Sequence, residues 1–155
     1  MRRSVWLGLA LLLALPARGD NSAAPAYHPG VGDLMTSLVQ PRHIKLWIAR
    51  EQGNWTYAEY ERKNLAEALT KVGKNTPVYR TLDLPGLIAS SSSDQLTKLE
   101  AAIKAKDGVA FDAAYADLTN SCNTCHQATG QGPVHIKVPT SLEGPFIDQD
   151  FAPQP

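Results

Sequence analysis

Two thiols and an imidazole stand within five residues in Cys122-Asn123-Thr124-Cys125-His126. On a helix the three occupy i, i+3 and i+4, so both sulfurs and the ring project from one face. Such a face can hold a flat macrocycle. Each thiol can add across one vinyl group of a porphyrin, and the histidine beside the second cysteine can ligate the iron. The C-x-x-C-H spacing therefore reads as a covalent attachment site for one haem c. Cys122 and Cys125 would form the thioethers, and His126 would be the proximal ligand of the iron. The chain has only these two cysteines, and other chemistry is open to them. They could close on each other as a disulfide in an oxidising compartment. A redox-active pair would normally follow a strand in a βαβ unit, and no such pattern precedes them. Structural zinc would need two further ligands at tight spacing, and His126 is the sole neighbour of that kind. Haem is the reading that uses all three side chains.

Residues 1–19 supply an address consistent with it. Arg2 and Arg3 form a basic start, and Val5 to Leu15 is an apolar run shorter than the ~20 residues that span a bilayer. Ala17-Arg18-Gly19 is a small-residue cleavage site, which predicts a signal peptide over 1–19, a mature N-terminus at Asp20 and export to the periplasm. Removing this segment takes away three arginines and no acid, so 15 basic residues become 12 against 15 acidic ones. A mildly acidic chain without a basic run or interleaved basic and aromatic residues does not suggest nucleic acid as a partner, and none is expected. No second apolar stretch of membrane length follows, so the mature protein is expected not to be membrane-embedded.

The elements that must position the motif read as an all-α domain over 33–128, after a flexible leader, 20–32. Asp33 can cap a first helix that Pro41 kinks and Gly53 ends, with Leu34, Leu38, Ile44 and Ile48 on its apolar stripe. Asn54 can cap a second helix from Trp55 to Val72, closed by Gly73. Its inward residues would be Ala58, Leu65, Ala68, Leu69 and Val72, and Glu59, Glu61, Arg62 and Lys63 would form a solvated face. Lys74 to Ser90 carries Pro77, Pro85 and Gly86 and reads as a long irregular connection. Ser92 to Gln95 looks like a capping box for a third helix that ends near Lys106. Asp107 can cap the fourth, whose stripe of Phe111, Ala114, Tyr115 and Leu118 continues into Cys122, Cys125 and His126. Beyond it, the glycines and prolines of 129–155 exclude long helices, yet Val134, Ile136, Val138 and Leu142 are too apolar for a purely solvated tail. The expectation is an extended, proline-rich C-terminal tail that wraps the helices and shields part of the haem.

Four helices with C-x-x-C-H near the end of the last resemble the class II c-type cytochromes, the cytochrome c-prime family. A group of exported mono-haem proteins is also similar, through Arg42-His43-Ile44-Lys45-Leu46-Trp47 and Asn54-Trp55. The likeness implies an antiparallel four-helix bundle, a first helix crossing the far side of the haem, and pairing of two copies through the first two helices. Two features depart from the class II pattern: 29 residues follow His126, and the second-to-third connection is long.

By residue count on an antiparallel pair, His126 lies 18 positions after Gly108 and Met35 lies 18 before Gly53. Met35 is the candidate distal ligand, since a thioether opposite histidine raises the potential and suits electron transfer. His43, two turns deeper, is the alternative distal ligand. Arg42 and Lys45 could pair haem propionates, and His28 and His135 read as surface histidines. The leading function is a soluble electron carrier serving redox partner proteins. The alternative is a five-coordinate haem protein that binds small diatomic gases, NO or CO. Enzyme chemistry would need an acid–base group over an open iron, and apart from His43 nothing assembles one, so the chain is expected not to be an enzyme.

Overall fold

The structure, a computed structural model, describes residues 27–142. The expected signal peptide, most of the leader and the last part of the tail lie outside the described residues.

Helix α1 starts with an α-helical turn, Val31–Leu34, passes through a π-helical segment, Met35–Val39, and resumes as α-helix over Gln40–Glu51. It begins two residues before Asp33. Gly30 is the N-cap, and the Asp33 carboxylate reaches back from the third helical position to accept the Gly30 N–H at 3.0 Å. Pro41 neither breaks nor divides the helix. Lacking an N–H to bond four residues back, it follows a wider turn, in which Gln40 N–H bonds the Met35 carbonyl. The Arg42 guanidinium donates to the Leu38 carbonyl at 2.7 Å, satisfying a group inside that turn.

Helix α2, Trp55–Asn75, is capped by Asn54, whose side chain accepts the Tyr57 N–H at 3.0 Å. The expected inward residues are buried. The expected end at Gly73 is not observed, because the helix runs two residues further. Gly73 is buried, and a β-carbon there would sit 3.3 Å from the Pro85 backbone, so this glycine serves close helix approach. The charged face is not all solvated: Glu61 and Arg62 are 4% and 8% exposed. Arg62 is held by Glu59 at 2.7 and 2.8 Å and faces Glu100 of the next helix at 3.5 Å.

The connection expected to be irregular is instead short and ordered. Strands β1, Val78–Tyr79, and β2, Leu82–Asp83, pair antiparallel with Val78 opposite Asp83. Helix α3, Leu84–Ala105, follows at once with Pro85 in its first turn, where a missing N–H is no loss. Ser92 to Gln95 are thus interior residues, not a cap. The Ser91 and Ser92 hydroxyls bond back to the carbonyls of Leu87 and Ile88, both at 2.8 Å. Lys106 closes the helix in the left-handed conformation, and Asp107 caps α4, Gly108–Ala128, by accepting the Ala110 N–H at 3.0 Å.

The chain is mostly helical, with one two-stranded sheet among the described residues. Helices adjacent in sequence pack on each other, and Leu46, Leu65, Val72, Leu99, Phe111 and Leu118 meet in a shared core. No helix of the described residues is long and apolar enough to cross a membrane.

Candidate functional site

Contacts between α1 and α4 step in opposite directions along the two chains, so the helices run antiparallel. Arg50 donates to the Gly108 carbonyl at 3.3 Å and pairs with Asp112. Two turns away, His43 meets Tyr115 and Thr119. Further along, the helices border a cleft of about 120 Å³ that is partly open to solvent. Met35, Val39 and His43 of α1 line it, as do Leu118, Cys122, Cys125 and His126 of α4. Thr36 and Gln40 of α1, Leu65 and Leu69 of α2, Ile88, Ser91 and Ser92 of α3, and Val134 and Ile136 of the tail complete the walls.

Cys122, Cys125 and His126 therefore share one cavity, as i, i+3, i+4 spacing on a single helix requires. Both cysteines are free thiols. Burial pushes the Cys122 thiol up to about 11, and Cys125 is raised as well, again mainly by burial, with a hydrogen bond from Ser91 offsetting part of the effect. The thiolate is the nucleophile of thiol–disulfide exchange, and burial disfavours it here.

His126 Nδ1 lies 2.8 Å from the Val134 carbonyl oxygen. A carbonyl only accepts, which places the ring proton on Nδ1 and leaves the Nε2 lone pair free for a metal. His43 differs in this respect. It is 4% exposed, and burial lowers its pKa to about 4, so the ring is neutral. Its Nδ1 is 2.9 Å from the Tyr115 hydroxyl and its Nε2 is 3.0 Å from the Thr119 hydroxyl. Tyr115 also reaches the His43 carbonyl at 2.7 Å, and Thr119 the Tyr115 carbonyl at 2.9 Å. Three protons serve these four contacts, one on each hydroxyl and one on the ring, so each neutral tautomer satisfies three of them at a time. With the proton on Nδ1, His43 donates to Tyr115; with it on Nε2, it donates to Thr119. Each ring nitrogen has a hydroxyl oxygen within 3.0 Å.

The tail returns along the end of α4. Asn123 donates to the Ile136 carbonyl and accepts the Ile136 N–H, both at 2.7 Å, which brings Val134 and Ile136 to the cleft. Arg42 and Lys45 do not line the cleft, and His28 and His135 are exposed. Trp55 packs edge-on against Phe111 at 6.2 Å, a helix-junction contact.

Among the described residues no three His, Cys, Asp or Glu side chains converge as a metal cluster. A porphyrin needs no such cluster, since it asks the protein for one or two axial ligands only. The pairing of Tyr115 and Thr119 with His43 escaped the sequence reading. Its signal was present, because Tyr115, Thr119 and Cys122 recur at helical spacing on one face. Asn123, an unconstrained position of the motif, offered no signal at all. The chain was compared with protein-family models, with curated proteins and with solved structures, and none of the three comparisons found a match.

Proposed function

We propose that the protein is an exported mono-haem c-type cytochrome, an antiparallel four-helix bundle similar to the cytochrome c-prime family, that carries electrons between redox partners. One observation carries the reading: both thiols and an imidazole with a free Nε2 line a single, mainly apolar cleft. Haem c bound there would supply an iron that exchanges one electron between its ferric and ferrous states.

The protein's own residues would do the rest. Cys122 and Cys125 would anchor the group through two thioethers, and His126 would hold the iron through Nε2. Leu65, Leu69, Ile88 and Leu118 keep water from the ring, and a low-polarity setting influences the potential. Met35 would be the candidate second ligand of the iron in this reading. It lines the same cleft from the antiparallel helix and heads the π-helical segment, a kind of distortion that often marks functional positions. His43 could ligate only by giving up its contact with the Tyr115 or the Thr119 hydroxyl. Location in the periplasm and pairing of two copies belong to the same proposal.

Absorption spectra of the exported protein in both oxidation states test it. Wild-type protein should show covalent haem in a six-coordinate, low-spin form. Met35→Ala should turn the spectrum high-spin, and His43→Ala should leave it low-spin. A high-spin wild-type spectrum with rapid carbon monoxide binding would replace the electron carrier with a gas-binding protein. Absence of haem would remove both readings.

A further inference from the structure

The segment after α4 is pinned at two points on either side of the carbonyl that faces His126. At its start, the Gln131 side chain donates to the Tyr79 hydroxyl at 2.8 Å, and the Gln131 N–H bonds the His126 carbonyl at 2.6 Å. The turn into it uses Gly130 at φ +73°, and a β-carbon there would meet the Arg80 guanidinium at 2.6 Å. At its far end, the Asn123 amide holds both backbone groups of Ile136 at 2.7 Å, as a neighbouring strand would. Between these anchors the Val134 carbonyl accepts from His126 Nδ1.

We infer that Asn123 is a positioning residue: it clamps the strap Gln131–Ile136 so that the Val134 carbonyl holds and polarises the His126 ring. The inference rests on the haem reading above and assigns a role to one of the two residues between the cysteines. Hydrogen bonds from the outer nitrogen of a ligating histidine orient the ring and raise its basicity. A strap held at one end only would let that carbonyl drift. The ring would then donate less electron density to the iron, which favours the ferrous state. Thr124 is the natural control. It is also between the cysteines, but its hydroxyl bonds the Asn120 carbonyl of its own helix at 3.1 Å and it makes no bond to the strap.

The test compares wild type, Asn123→Ala, Asn123→Asp and Thr124→Ala as full-length, haem-loaded proteins. Solvent exchange of the His126 Nδ1 proton, followed by NMR in the ferrous state, is the first readout, and the midpoint potential is the second. Asn123→Ala should exchange faster by about ten-fold, on the scale of losing second-shell support of a ligand, with a raised potential. Asn123→Asp keeps the acceptor for the Ile136 N–H and should fall between. Thr124→Ala should match wild type in both. Equal exchange rates and potentials in Asn123→Ala and Thr124→Ala would overturn the clamp. Wild-type protein that carries no haem would instead overturn the functional reading beneath it.

Discussion

The two ends of the α1–α4 pair are built from opposite materials. At the Arg50 end, Trp55, Phe111 and Tyr115 fill the space between helices, with Phe111 and Tyr115 stacked at 5.8 Å and both fully buried. Arg50 closes that end on Asp112 and the Gly108 carbonyl. At the Met35 end, the same two helices border the cleft, lined by aliphatic side chains, thiols and one free imidazole nitrogen. His43 and Tyr115 mark the border, with ring centroids 4.5 Å apart. A helix pair can thus carry its stability at one end and its chemistry at the other. Aromatic volume does the first, and small, soft or polar groups on one face do the second.

Changes at the filled end should separate these roles, and the largest effect belongs to the aromatic wedge. Phe111→Ala removes a fully buried ring, so denaturant unfolding should show a loss of about 3–5 kcal/mol. The absorption spectrum of the folded variant should stay as in wild type. A changed spectrum would mean that the two ends are not independent.

At the border, acid is the sharper probe. His43 titrates near its ordinary 6.5 in the unfolded chain, but at about 4 in the fold, because burial disfavours the charged ring. The unfolded state therefore binds more protons between these values. Stability that is full above pH 6.5 should fall as the pH drops toward 4, by roughly 3 kcal/mol in all. Urea midpoints measured across that range should show the decline in wild type and a flatter profile in His43→Gln. Parallel profiles would assign the acid sensitivity to other groups.

The smallest effect is expected where the pair is most exposed. Arg50 and Asp112 keep 22% and 48% of their side chains in solvent, so Asp112→Ala should cost no more than about 1 kcal/mol, and less in high salt. A larger loss, measured by thermal unfolding, would mean that the ion pair and not the aromatic wedge closes this end.

Much of this was legible in the chain itself. Asn54 and Asp107 announced their helices because a short polar side chain that can accept the N–H three residues on is needed at a free helix start. The stripe from Phe111 to Leu118 pointed inward for the same reason that the motif does, since it continues the motif's 3.6-residue period. The second connection misled for a physical reason. Pro85 and Gly86 look like breakers, yet proline is well suited to a first helical turn. The serines after them cap nothing because their hydroxyls can bond the preceding turn instead. Glu61 and Arg62 looked solvated because charge is usually exposed, and only the approach of α3 supplied Glu100 to face the Arg62 guanidinium.

Local spacing alone determined that Cys122, Cys125 and His126 share a face, because helix geometry relates residues three and four apart whatever surrounds them. The candidacy of Met35 also came from counting along an antiparallel pair. Tertiary structure decided what each group is free to do. It set a hydroxyl from another helix beside each nitrogen of His43, and it turned the Val134 carbonyl toward His126 so that Nε2 stays open. Those outcomes depend on partners 76, 72 and 8 residues away in sequence. No local pattern encodes which hydrogen-bond partner a buried ring will meet.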